Sequence, residues 1–160
     1  IGKGTIYLHF KNKRELFFSC LIAEKRELLP QLEIIENFPE EERLRAFLEV
    51  TFSFALTASL TRALLSRRQD FAALIEEIDA TILKNHDQNF TEYVINKLIS
   101  PVTHNLDIDD KKTITNVINI ATLAIGYLPE MAFDLPGQEI RTDEFVRTLA
   151  MIIDRGIKNT

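Results

Sequence analysis

Residues 5–10 read T-I-Y-L-H-F, inside the longer run I-G-K-G-T-I-Y-L-H-F-K-N-K-R-E-L at 1–16, and the fold class turns on how these six are read. Thr5, Tyr7 and His9 alternate with Ile6, Leu8 and Phe10. That is the period-2 pattern of a half-buried strand, in residue types that mostly favour strands. A strand needs a partner, because its backbone N–H and C=O groups are otherwise unpaired. No second strand candidate follows in the chain, so the six residues are expected to be helical against their propensity. Ile6 and Phe10, four apart, then point inward, while Lys3 and Tyr7, also four apart, share an outward face.

The rest of the chain carries helical signals. Asn12-Lys13-Arg14-Glu15 reads as a capping box with Asn12 as the N-cap. From there Leu16, Phe17, Cys20, Leu21 and Leu28 make the apolar face of a long connecting helix running toward Pro30, where its hydrogen bonding should be interrupted or kinked. Asn37-Phe38-Pro39 punctuate the chain, and Glu40, Glu41 and Glu42 place negative charge in the first turn of a new helix, as the macrodipole favours. Leu44, Phe47, Leu48, Thr51, Phe54 and Ala55 follow at helical spacing. A short segment around 60–65 ends in Ser66-Arg67-Arg68. Asp70 then caps a long helix in which Phe71, Ile75, Ile78, Ile82, Phe90, Val94 and Leu98 recur up to Pro101.

Asp107 is expected to cap the next helix, about 108–128, which is apolar on two faces. Ile114, Val117, Ile118, Ala121 and Ile125 form one, and Ile120, Leu123 and Tyr127 the other. The last helix, about 143–157, is doubly apolar in the same way: Phe145, Leu149, Ile152 and Gly156 alternate with Val146, Ala150, Ile153 and Ile157. Such helices need two partners each. The expected class is all-α.

With 160 residues, 46% of them hydrophobic, the chain can bury one well-packed core or one main domain with a small appendage. Its single cysteine, Cys20, excludes an internal disulfide. No signal peptide and no apolar run of about 18 residues is visible, which argues against secretion and membrane spanning and points to a reducing cytoplasm. The run at 1–16 opens in mid-pattern without a Met, so further sequence is expected before Ile1.

The net charge of −5 hides an asymmetry: Lys3, Lys11, Lys13 and Arg14 meet no acid in residues 1–14, whereas the remainder sets 15 basic against 24 acidic residues. One end is suited to an anion, and the acidic body opposes nonspecific coating of nucleic acid.

Chemistry-bearing motifs are absent. G-K-G-T at 2–5 lacks the G-K-[ST] of a phosphate loop, since Gly4 separates Lys3 from Thr5. His9, His86, His104 and Cys20 have no metal-ligand spacing, and Asp107-Ile108-Asp109-Asp110 lacks the Gly and terminal Glu of a calcium loop. No G-x-S-x-G occurs. Nothing argues for an enzyme, a cofactor or a metal.

The run 1–16 resembles the recognition-helix signature of the TetR (tetracycline repressor) family of transcription regulators, close to G-V-S-K-G-T-[aliphatic]-Y-x-[HY]-F-x-[NS]-K-x-x-L. Ile1 stands for the Val and Gly2 for the usual Ser, and Lys3 through Tyr7 follow without a gap; His9, Phe10, Asn12, Lys13 and Leu16 are in step. The resemblance implies that residues 1–14 are the remnant of a helix-turn-helix DNA-binding domain, linked by a helix from about 12 to a regulatory, ligand-binding and dimerisation domain over 15–160. It further implies that Thr5, Tyr7, His9 and Lys13 contact backbone phosphates. The residue types suit a helix in the major groove: Lys3 can reach guanine or a phosphate, Gly4 permits close approach, and Leu8 can touch a thymine methyl. Gly2 departs from the pattern and lacks the capping oxygen of Ser. The two helices that precede this element in the family do not stand before Ile1 here. A lone recognition helix is marginal in water, so the 160 residues are expected not to bind an operator with specificity without them.

The function implied is a transcriptional regulator, a repressor released from operator DNA by a small apolar or amphipathic effector. His86 lies four residues from both Ile82 and Phe90, on the apolar stripe of the middle helix. It is either a hydrogen-bonded core residue or part of an effector pocket walled by Phe54, Phe90 and Tyr93, with Thr51 or Asn119 as hydrogen-bond partners. The resemblance also implies a homodimer through helices about 108–128 and 143–157, whose twofold axis would match a palindromic operator. A helical carrier of hydrophobic ligands is the alternative; it would share the Phe-rich interior but gives no reason for the pattern from Lys3 to Lys13.

Overall fold

The computed structural model describes residues 10, 12–60, 62, 92–103, 105–128, 130–133 and 140–159. The structure is mostly helical, and no strand occurs among the described residues. Five α-helices are present there: α1 (Lys13–Arg26), α2 (Leu29–Ile35), α3 (Glu40–Thr57), α4 (Ile108–Gly126) and α5 (Thr142–Lys158). Between α3 and α4, Val94–Ile99 winds as a π-helix and Ser100–Val102 as a 3₁₀ turn; a second 3₁₀ turn, Glu130–Phe133, precedes α5. Of the stretch 5–10, only Phe10 is described.

α1 starts where the capping signal places it. The Asn12 Oδ1 accepts the Glu15 N–H at 2.9 Å, and the Asn12 carbonyl accepts the Leu16 N–H at 3.3 Å. The long connecting helix expected from there is two helices. α1 ends at Arg26, four residues before Pro30, whose ring would collide with that carbonyl in a continuous helix. Pro30 instead sits in the first turn of α2, where no amide donor is needed. Cys20, expected on the apolar face of α1, is exposed, while Leu16 and Phe17 are half-buried.

The core is built around α3. Pro39 holds its N-cap position with extended backbone and offers no side-chain cap. The first turn is instead served by charge, with Glu40, Glu41 and Glu42 at the positive end of the dipole. Leu44, Phe47, Leu48, Thr51, Phe52, Ala55 and Leu56 are buried, and both α4 and α5 pack against α3. Here the residues differ from the sequence expectation in one respect. Phe52, outside the expected stripe, is wholly buried, whereas Phe54 is half-buried. A helix covered on several sides buries more than one stripe, so a single-face pattern cannot find all of its core.

Asp107 caps α4 as expected, its Oδ1 accepting the N–H groups of Asp109 at 2.9 Å and Asp110 at 2.8 Å. Thr115, Ile118 and Ile125 turn inward. In α5 the inward stripe is Val146, Ala150, Asp154 and Ile157. Buried threonines avoid the cost of an unpaired hydroxyl by bonding within their own segment: Thr51 to Phe47 O at 2.8 Å, Thr103 to Ile99 O at 2.7 Å and Thr115 to Lys111 O at 2.9 Å. Among the described residues no helix is long and apolar enough to cross a membrane.

Candidate functional site

Lys3, Gly4, Thr5, Tyr7, Leu8 and His9 lie outside the described residues, as do His86 and Phe90. Lys13 is the first residue of α1. Of the expected effector-binding set, Thr51 and Phe54 stand on α3, Asn119 stands half-buried on α4, and Tyr93 precedes the π-helical turn. That turn packs against both α3 and α4, so the elements carrying these residues share one core.

The polar groups of Thr51 and Tyr93 are not aimed at a common point. The Thr51 hydroxyl donates to the Phe47 carbonyl on its own helix. Tyr93 has Glu36 and Arg43 as its charged neighbours, at the α2–α3 junction. Arg43 and Thr51 are eight residues apart on α3, which is about 12 Å along the axis. Arg43 is itself engaged, its Nε donating to the Phe38 carbonyl at 2.9 Å.

The Tyr93 hydroxyl is buried, and it faces the Glu36 carboxylate without closing a normal hydrogen bond. Burial first, and then the neighbouring Glu36 carboxylate, raise its pKa above the ordinary tyrosine value. Because the folded-state value lies above the unfolded one, the folded protein holds this proton more tightly. Stability is therefore fully present below about pH 10 and falls as pH rises through the folded value. A buried hydroxyl whose contact with Glu36 falls short of a normal hydrogen bond also costs free energy at neutral pH. Tyr93→Phe is expected to raise stability by up to about 1 kcal/mol at pH 7, and by more above pH 10. Urea unfolding at pH 7 and 10.5, with the tyrosinate absorbance followed alongside, checks this; a loss of stability at pH 7 would contradict it.

A groove of about 370 Å³ lies between α3 and α5, lined by Arg45, Arg141, Arg147, Asp143, Glu144 and Met151. Its charges are largely answered within the chain. Arg141 makes a two-pronged pair with Asp143, both contacts at 3.0 Å, and Arg45 meets Glu49 at 2.9 Å. Among the described residues no three His, Cys, Asp or Glu side chains gather to hold a metal ion.

The outer faces of α4 and α5 are unusual for a protein surface. Val117, Ile120, Leu123 and Tyr127 follow one another along α4 with exposures of 58%, 66%, 48% and 40%, and Ile152 on α5 is 59% exposed. The second α4 face expected from the sequence is thus open to solvent, and Val117, expected on the first face with Ile118 and Ile125, is exposed beside it. Gly156, one turn beyond Ile152, is also exposed, and a Cβ placed there would meet nothing within 4 Å. A helix-interior glycine costs about 1 kcal/mol relative to alanine, and nothing within the described chain requires it.

Two further clusters carry no signal in simple periodicity. Asp154 is 6% exposed on the inward stripe of α5, and its Oδ2 lies 2.8 Å from Lys158 Nζ. Its Oδ1 is buried without a partner. Lys158 Nζ donates as well to the Glu41 carbonyl, joining the end of α5 to the start of α3. The spacing of Asp154 and Lys158 at i and i+4 was the available clue. The other set is two separate bonds that join segments far apart in sequence, Glu24 to the Leu60 N–H and Arg62 to the Leu128 carbonyl.

In comparison with known proteins, no family model matches the chain, and neither a curated protein nor a solved structure matches it.

Proposed function

We propose that this chain is the regulatory part of a DNA-binding transcriptional regulator of the TetR type, a repressor released from its operator by a small apolar or amphipathic effector. The observation that carries the reading is the run Ile1–Leu16, in which a basic segment with the spacing of a recognition helix ends at a capped helix start. The Asn12 cap fits the junction at which such a segment would pass into the connecting helix, here α1. Lys3, Gly4, Thr5, Tyr7, Leu8, His9 and Lys13 are the proposed DNA-contacting residues. Thr51, Phe54, His86, Phe90, Tyr93 and Asn119 are the proposed surroundings of the effector. The protein is proposed to act in the cytoplasm.

The DNA arm of the reading is tested on the full-length protein, in a selection from random duplexes. The expected product is a palindrome whose half-sites lie one helical turn, about 34–36 Å, or a multiple apart. Lys3→Ala should weaken binding and, where Lys3 meets a phosphate, lower the salt slope by about one. Absence of any sequence-selective enrichment defeats the reading.

The dimer arm rests on the exposed apolar faces of α4 and α5. Scattered exposed apolar side chains are ordinary, but a row of four along one helix is a surface that water disfavours. A second copy is the proposed cover, with Gly156 allowing a close helix approach. Sedimentation equilibrium should find a dimer at micromolar concentration, Ile120→Asp with Ile152→Asp should give a monomer of unchanged helicity, and Gly156→Leu should weaken the dimer. A wild-type chain that stays monomeric at about 100 μM, roughly −5 kcal/mol on the affinity scale, removes this arm.

A further inference from the structure

Three side-chain hydrogen bonds among those described join segments more than thirty residues apart, and two of them meet just past α3, at Leu60 and Arg62. Ala58 ends α3 and opens a short helical turn, its carbonyl accepting the Arg62 N–H at 2.9 Å. An N-cap side chain would ordinarily accept the N–H two residues on, but alanine has no acceptor. Glu24, near the end of α1, supplies it: its Oε1 accepts the Leu60 N–H at 2.8 Å. A carboxylate at the start of a helical turn is also favoured by the peptide dipoles.

Arg62 performs the opposite service at two helix ends. Its Nη1 donates to the Leu56 carbonyl at 2.8 Å, in the last turn of α3, and its Nη2 to the Leu128 carbonyl at 3.1 Å, just past the end of α4. Helix C-termini leave carbonyls without intrahelical partners and carry partial negative charge, so a partly buried guanidinium answers both needs at once. The planar fork of arginine can span two carbonyls, which a lysine ammonium does less well.

We infer that Ala58, Leu60 and Arg62 form a mechanical joint in which Glu24 and Arg62 fix the direction of α1 relative to α3 and α4. The joint is two-sided. Moving the end of α1 draws on the Leu60 amide, and the same short turn holds the ends of α3 and α4 through Arg62. Coupling by such a joint needs no contact between α1 and α4 themselves. Its relevance to DNA reading rests on the proposed function; its existence does not.

The test uses the single cysteine of the chain. Cys20 is exposed on α1, and Lys112→Cys, exposed near the start of α4, gives a second site for a nitroxide label. Pulsed electron–electron distance measurement is made in the absence of DNA, with labelled protein diluted in unlabelled protein so that only distances within one chain are read. The parent protein should give one narrow distance peak. Arg62→Leu and Glu24→Leu should each abolish that narrow peak while far-UV helicity persists, and Glu24→Gln, which keeps the acceptor oxygen, should retain it. Val146→Ala, a destabilising change in the α5 core away from the joint, should lower the melting temperature and leave the peak alone. An unchanged narrow peak in Arg62→Leu and Glu24→Leu overturns the joint, and so does equal broadening in Val146→Ala. Failure here leaves the DNA reading standing, and failure of operator selection leaves the joint standing.

Discussion

Phe52→Ala is expected to cost about 3–5 kcal/mol of folding stability, the usual toll of deleting a wholly buried aromatic side chain. Phe52 is 0% exposed on a helix that both α4 and α5 cover, so the cavity left behind would be enclosed and could collapse only in part. Phe54, two residues on and half-buried, should cost about half as much under the same change. Against a typical total of about 5–15 kcal/mol, the Phe52 loss is a large share, and the melting temperature should fall accordingly. Urea unfolding of the two variants in parallel gives the comparison. Equal losses for Phe52→Ala and Phe54→Ala would show that α3 is not packed as described.

The second large effect is expected at the far end of α5. Lys158→Met removes the one cation seen in contact with Asp154 among the described residues, and the carboxylate would remain buried with one oxygen already lacking a partner. Breaking a fully buried pair from one side costs about 3–5 kcal/mol; Lys158 keeps 29% of its side chain exposed, which reduces the expected loss to about 1–3 kcal/mol. The link from Lys158 to the Glu41 carbonyl is lost in the same step. Replacing both partners, Asp154→Leu with Lys158→Met, should recover much of the loss, because no uncompensated charge then stays inside. A double variant as unstable as Lys158→Met alone would mean that the Glu41 link, not the buried carboxylate, sets the cost.

Both of these positions escape a reading of the sequence, whereas other features do not. Helix starts were legible because their chemistry is local: the Asn12 and Asp107 oxygens reach amides within three residues. The break before Pro30 was legible in position, though not in kind, since proline forbids the continued helix without stating whether the chain bends or restarts. Phe52 was not legible, because burial on a central helix depends on how many neighbours surround it. Neither was Asp154, which breaks an apolar stripe and is tolerated through Lys158. The Glu24–Leu60 and Arg62–Leu128 bonds were beyond reach, since they join residues 36 and 66 apart. Of the proposed site, the DNA-contacting pattern is a property of one contiguous run, whereas the effector residues come from three separated stretches of sequence, 51–54, 86–93 and 119, whose mutual placement no periodicity encodes.

The π-helical turn at Val94–Ile99 carries its own consequence. Val94, Ile95, Leu98 and Ile99 are all buried there, while Asn96 and Lys97 face out. Hydrogen bonds that reach five residues instead of four hold one more residue in the turn than α-helical winding would. Were the turn to tighten to α-helical winding, with Leu98 and Ile99 anchored in the core, the surplus residue would appear as rotation of about 100° in the residues directly before it, Tyr93 first. The hydroxyl that now faces Glu36 would sweep away from it. Such a turn stores an angle, and it would release that angle as twist about a helix axis, not as the sliding of one helix along another.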